Sequence, residues 1–192
     1  ALSNVGLVEL VDLDGDGDED VLSSSGDRVA WWENINGLIG EEQIINYFRV
    51  NDLGLIDFDL DGDIDIILSS ENGLKLLIND GSGSFTEQLI SNNVFRGLSV
   101  NDVNGDGLSD LITLKEVDYK IILTQWVNQD SSFNSEEVLY MDIFDYYSDP
   151  FNLVSSDIDF DGDVDFIISS NDIVFWYENT PEGFVEHLIN NY

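Results

Sequence analysis

Oxygen-bearing side chains recur in this chain at a spacing suited to wrapping one hard cation. Four nine-residue segments share the pattern: DLDGDGDED (Asp12 to Asp20), DFDLDGDID (Asp57 to Asp65), DVNGDGLSD (Asp102 to Asp110) and DIDFDGDVD (Asp157 to Asp165). Each places an acid or amide at positions one, three, five and nine, with glycine at six. Ca2+ takes six to eight oxygen ligands, and glycine allows the sharp turn that brings alternate residues round it. Position seven varies between Asp18, Asp63, Leu108 and Asp163. Leu108 has no side-chain oxygen, so this position is expected to give its backbone carbonyl. The expected ligands are Asp12, Asp14, Asp16, Asp18 and Asp20 in the first loop and Asp57, Asp59, Asp61, Asp63 and Asp65 in the second. The third would use Asp102, Asn104, Asp106, Leu108 and Asp110, and the fourth Asp157, Asp159, Asp161, Asp163 and Asp165. About four Ca2+ ions are therefore expected, with the third site weakest because Asn104 replaces a carboxylate. The bland alternative is a set of solvated acidic turns without metal. Mutual repulsion of so many adjacent carboxylates argues against it.

The residues after each loop decide which kind of loop it is. An EF-hand needs a bidentate Glu at position twelve and flanking helices. Position twelve here is Ser23, Leu68, Thr113 and Ile168, and the following segments VLSSS, IILSS, LITLK and FIISS read as strands. These are not EF-hands.

Composition limits the rest. A chain of 192 residues, 43% apolar, can bury a substantial core in one or two domains. No stretch is long and apolar enough to insert in a membrane, no signal peptide is recognisable, and Ala1 reads as the start of a processed or trimmed chain. Cysteine is absent, so compartment must be argued from calcium. Modest-affinity sites fill only at roughly 0.1–1 mM calcium, which points to an extracellular or cell-surface setting. The net charge is −34, of which four Ca2+ ions would offset only about eight charges. Such a chain repels nucleic acid and anionic membranes.

The loops must be positioned by something that repeats with them. Their first residues, Asp12, Asp57, Asp102 and Asp157, are spaced by 45, 45 and 55 residues, a period suited to propeller blades. Each unit offers four strand candidates. One precedes the loop (LVELV, GLI, GLSV, LVS) and one follows it; a third is apolar on both faces (VAWWEN, LKLLIN, ILTQWVN, IVFWYEN); a fourth closes the unit (EEQII, TEQLI, SEEVL, VEHLI). Helical periodicity is not evident. The expected fold is all-β, a single β-propeller domain over residues 1–192 built from four-stranded blades, four in number. Joining the chain ends on paper leaves almost nothing between whole units, so a closed four-bladed ring is the first expectation. A fragment of a longer propeller, or two half-rings pairing as a homodimer if the ring does not close, are the alternatives.

The unit D-x-D-x-D-G-x-x-D followed by an aliphatic residue, a strand such as AWWEN and a Gly-Phe hairpin (Gly83 to Phe85, Gly183–Phe184) resembles the FG-GAP/VCBS repeat. That family includes the calcium-loop blades of integrin α-subunits, bacterial surface adhesins and some fungal lectins. The resemblance covers nearly the whole chain and implies a β-propeller with calcium between the first two strands of each blade. Members usually have about seven blades, and this chain has four.

Both irregularities of the repeat fall in the third unit, on the side opposite the loops. The segment from Lys115 to Lys120 is expected to lengthen one turn, and YMDIFDYYSDP (Tyr140 to Pro150) lengthens the connection to the fourth unit. Long loops that break a repeat often bind ligands, which makes Lys115, Lys120, Phe144, Tyr146 and Tyr147 candidate contacts to an extracellular protein or glycan. Plugging or capping the ring would account for them equally. Trp31, Trp32, Trp126 and Trp176 lie on the third strands and are read as packing between blades. His187 is the only histidine, and no nucleophile elbow or phosphate loop is present. The expected function is a non-catalytic recognition or adhesion module. The alternatives are a lectin attached to a carbohydrate-active enzyme and, behind it, a polysaccharide lyase or hydrolase.

Overall fold

The computed structural model describes residues 6–25, 27–118, 120–129, 131–142, 151–170 and 173–191. They form sixteen strands in four antiparallel sheets, each sheet paired in chain order, which is the blade construction of a β-propeller. Blade one is β1 (Leu7–Val11), β2 (Asp20–Ser25), β3 (Arg28–Ile35) and β4 (Leu38–Asn46). Blade two is β5 (Val50–Ile56), β6 (Asp65–Ser70), β7 (Gly73–Asn79) and β8 (Phe85–Ser91). Blade three is β9 (Gly97–Asn101), β10 (Asp110–Val117), β11 (Lys120–Asn128) and β12 (Phe133–Asp142). Blade four is β13 (Phe151–Ser156), β14 (Asp165–Ser170), β15 (Ile173–Thr180) and β16 (Gly183–Asn191). No helix among the described residues is long and apolar enough to cross a membrane. The chain divides into two compact units, Ala1–Val94 and Phe95–Tyr192, with two blades in each.

Burial explains the sequence pattern. The second strand of each blade opens on the last Asp of its loop and continues with β-branched or aliphatic residues that pack on both faces; in β6 every residue is buried. The fourth strands are outermost and largely exposed, which is why β4 and β8 tolerate EEQ and TEQ. In the first unit Val11, Leu13, Leu22, Val29 and Trp31 of blade one meet Leu53, Ile66, Leu68 and Leu77 of blade two. Trp31 is 1% exposed, and its ring lies so close over Gly83 that a Cβ there would sit 2.3 Å away. In the second unit Ile112, Leu114, Ile121 and Leu123 of blade three meet Leu153, Phe166, Ile168 and Tyr177 of blade four. Burying each such side chain stabilises the fold by about 1.5–3 kcal/mol.

The expected long turn from Lys115 to Lys120 is corrected by the structure. Val117 pairs with Lys120, so the additional residues extend β10 and β11 and leave only a two-residue turn. Continued pairing of Lys115, Glu116 and Val117 with Ile122, Ile121 and Lys120 satisfies their backbone groups better than an open loop would. Asp118, at φ 49°, makes the turn. Lys115 is therefore a strand residue, half-buried and ion-paired to Glu137 of β12, and Lys120 opens β11. In the other anomalous segment Tyr140 belongs to β12, whereas Phe144, Tyr146 and Tyr147 lie outside the described residues.

Of the four tryptophans, Trp31 and Trp126 are buried in the interior. Trp126 is buried, donates Nε1–H to Thr113 Oγ1 at 2.8 Å and sits edge-on to Phe95. Trp176 is half-buried and stacks on His187, with ring centroids 4.5 Å apart.

Candidate metal centres

Each acidic loop joins the first two strands of its blade, and three sets of hydrogen bonds fix its shape. The carboxylate at position one accepts N–H groups from further round the loop. Asp12 takes Gly15 on Oδ1 and Gly17 on Oδ2; Asp102 takes Gly105 and Gly107 in the same way; Asp157 takes Gly162 on Oδ2. The side chain at position five accepts the N–H of position seven in every loop, including Leu108 N–H to Asp106 Oδ1 at 2.8 Å. Glycine at position six takes φ values of 89° to 101°, the left-handed region open to glycine.

Position nine has a second duty that its type and spacing did not reveal. Asp20, Asp65, Asp110 and Asp165 are all 0% exposed. One carboxylate oxygen of each accepts the N–H of position two: Leu13, Phe58, Val103 and Ile158. The other accepts the N–H of the asparagine at or near the end of the third strand: Asn34, Asn79, Asn128 and Asn179. Asparagines return the tie, donating Nδ2–H to the carbonyl at position eight: Asn34 to Glu19, Asn79 to Ile64 and Asn179 to Val164. Asn79 Nδ2 also donates to the Leu13 carbonyl of blade one at 2.8 Å, tying loop, strand and neighbouring blade together. The signal in the sequence was the asparagine closing each third strand.

In three of the loops the carboxylates also gather as a cation site requires. Carboxylate oxygens of Asp12, Asp14 and Asp20 lie within 4.8 Å of one another, as do those of Asp57, Asp59 and Asp61, and of Asp157, Asp159 and Asp161. In the second loop Asp57 Oδ1 and Asp59 Oδ1 are buried with no hydrogen-bond partner. A buried anionic oxygen without a donor is costly, and a bound cation removes that cost. The donors are all hard oxygens, which fits Ca2+ or a similar divalent ion. Burial, followed by repulsion from neighbouring carboxylates, raises the pKa of Asp14 and Asp59. Burial also raises Asp65 and Asp110 despite their backbone donors. The third loop brings no such trio together among the described residues. Asn104 turns its amide to Asp106 Oδ2 at 2.9 Å.

Position four carries a constraint of its own. Gly15 and Gly105 are left-handed there, at φ 74° and 73°, and so are Leu60 and Phe160, at 63° and 64°. Leu60 is 51% exposed and Phe160 89%. The loop imposes the conformation whatever residue occupies it, and bulky side chains there are strained.

His187 is committed elsewhere: Nε2 lies 2.6 Å from Glu178 Oε2 and the ring stacks on Trp176. Tyr140, 57% exposed, donates its hydroxyl proton to Glu137 Oε2. The Lys115 ammonium, and after it this hydroxyl, hold the Glu137 carboxyl below its usual range.

Comparison with known proteins agrees with this architecture. Residues 57–113, which contain the whole of the second and third loops, match the model of the FG-GAP-like repeat. The fold is a repeat-built β-propeller that carries an FG-GAP-like repeat. Among solved structures it is similar to an Agrocybe aegerita lectin described as recognising non-reducing terminal N-acetylglucosamine. The two are 19% identical with a TM-score of 0.67, over 99% of this chain and 53% of the lectin. The chain thus spans about half the length of that structure. A mutant of the Photorhabdus luminescens Tc holotoxin pore matches at 19% identity and a TM-score of 0.45, over 100% of this chain and 10% of the toxin chain. No curated protein matches the chain.

Proposed function

We propose that this chain is a calcium-stabilised, non-catalytic recognition module that works outside the cell and binds glycans. The observation that carries the metal half of this reading is the pair of buried, unpartnered oxygens on Asp57 and Asp59 inside a pattern repeated four times. Bound calcium would screen the clustered carboxylates and fix the first two strands of each blade; the chain's own residues would do the recognising. The glycan half is supported by the blade fold shared with a lectin over 99% of the chain. Its contacts are assigned to the edge of blade three, where Lys115, Glu137 and Tyr140 form one polar cluster with an exposed aromatic ring. Lys120 lies at the same end of the blade, and Phe144, Tyr146 and Tyr147 follow Tyr140 in the chain. Aromatic rings suit the apolar face of a pyranose, and charged neighbours suit its hydroxyls.

A glycan array probed with the folded chain in millimolar calcium, and again in excess EDTA, tests this. The reading expects saturable binding to at least one glycan class, loss in EDTA, and at least a roughly tenfold weaker Kd for Tyr140→Ala with unchanged melting. A folded, calcium-loaded chain that binds no glycan would sink the glycan reading and leave a protein ligand as the alternative. Turnover of uronate polysaccharides by the same preparation would overturn the non-catalytic reading.

A further inference from the structure

The third loop holds Asn104 at position three, and the next residue is Gly105. In an Asn-Gly step the following backbone nitrogen reaches the side-chain amide carbon freely, because glycine has no Cβ to obstruct it. The chain has three such steps, at Asn36, Asn72 and Asn104. At Asn104 the groups that such an attack needs are already in place. Gly105 N–H donates to Asp102 Oδ1 at 2.8 Å, so a carboxylate stands on the proton the attacking nitrogen must lose. Asn104 Oδ1 accepts the Asp106 N–H at 2.8 Å, a donor at the oxygen where negative charge would develop. Asn104 Nδ2 donates to Asp106 Oδ2 at 2.9 Å, and the two bonds to one residue fix which side-chain atom is the oxygen. The Asp106 N–H also reaches Asp102 Oδ1, at 3.1 Å, which holds both partners of the amide together. Asn104 and Gly105 are exposed, so water has access. The other two steps are arranged differently. Gly37 N–H donates to Asn34 Oδ1 at 2.8 Å, a neutral amide oxygen and a poor proton acceptor. Gly73 is buried in the β6–β7 hairpin, paired with Ser70.

We propose that Asn104 is a site of self-modification, at which the loop converts its own amide to a carboxylate. Gly105 N forms a bond to Asn104 Cγ as its proton passes to the Asp102 carboxylate, and the Asp106 N–H holds the oxyanion that forms on Oδ1. Collapse breaks the Cγ–Nδ2 bond, the nitrogen takes the proton from Asp102 and leaves as ammonia, and a cyclic imide remains. Water then breaks the new N–Cγ bond and leaves an aspartate at position 104; attack at the backbone carbonyl carbon leaves isoaspartate instead. Water enters, ammonia leaves, and no oxidant or second enzyme is needed. The consequence for metal rests on the calcium reading above. An aspartate here supplies the acid that Asp14, Asp59 and Asp159 supply at position three of the other loops. With Asp102 and Asp106 it would complete the trio that gathers in the second and fourth loops.

Peptide mapping by mass spectrometry reads the conversion at all three Asn-Gly steps. The full chain is held in neutral buffer with excess EDTA, below its melting midpoint, and a parallel sample is held in denaturing urea. In the folded chain Asn104 should convert at least about tenfold faster than Asn36 and Asn72, and the three rates should converge in urea. Asp102→Asn should slow Asn104 by at least about tenfold with an unchanged far-UV spectrum; should it not fold, the ranking in the parent chain decides. Asn104 converting no faster than Asn36, or faster in urea than in the fold, would overturn the proposal. So would an unaltered rate in a folded Asp102→Asn chain. Calorimetry on Asn104→Asp, made directly, tests the consequence: its third loop should bind calcium at least about tenfold more tightly than the parent's. Equal affinity, in a chain whose other loops bind, would overturn that consequence. A chain that takes up no calcium at any loop would sink the metal reading alone, while the ranking of the three steps still decides the conversion.

Discussion

Asp61 and Asp65 belong to one loop and differ in what they hold. Asp61 is exposed, with an oxygen in the carboxylate cluster it shares with Asp57 and Asp59. Asp65 is buried and accepts two backbone N–H groups, from Asn79 at 2.7 Å and Phe58 at 2.9 Å. Removing Asp65 orphans both donors, at about 1–3 kcal/mol each. Asp65→Ala should therefore lower the melting midpoint in EDTA as well as in calcium. Asp61→Ala should cost calcium affinity, read by calorimetry, and leave the EDTA midpoint unchanged or raised. Equal sensitivity of both variants to chelation would contradict the division of labour. Position four gives a prediction of opposite sign. Phe160→Gly relieves a bulky residue held in the left-handed region, a strain of about 1–2 kcal/mol, and an 89% exposed ring has little packing to give up. The variant should melt at or above the parent temperature, and a clear fall would show that the ring packs on something.

At the scale of the element, the loops and strands differ in how far they could be read. The nine-residue spacing, the strand after each loop and the double-faced third strand were legible because each follows from side chains close together in sequence. The clamp from Asp20 to Asn34 was not, because its partner lies 14 residues away and its function depends on pairing between β2 and β3. The hairpin from Lys115 to Lys120 looks like a loop when length alone is counted, because counting ignores whether the surplus residues can pair. The loops, taken as units, also respond to pH. Burial, with added repulsion from neighbouring carboxylates, raises Asp14, Asp59 and Asp159 in the metal-free fold, and burial raises Asp65 and Asp110. A carboxyl whose folded pKa lies above its unfolded value binds protons more tightly when folded, so stability falls as pH rises through that window. In EDTA the midpoint should accordingly rise as pH is lowered from about 7 toward the raised carboxylate pKa values. In calcium it should fall over the same range as protons displace the ion. Parallel curves would show that the loops carry no net repulsion.

The whole molecule combines a net charge of −34 with four blades that each carry an acidic loop. The blade count and all-β class were legible from the period of the loops. On the proposed reading, cations complete this fold. A ligand that binds only the folded state stabilises it by about 2.7 kcal/mol per site at a hundredfold excess over Kd. Several such sites would rival the roughly 5–15 kcal/mol that holds a whole domain together. The most direct measurement is a pair of melting curves at low ionic strength, in excess EDTA and in millimolar CaCl2. The midpoint should be higher in calcium by well over about 5 °C, the effect of about 1–2 kcal/mol in a chain of this size, with magnesium a poor substitute. A shift smaller than that would contradict the reading.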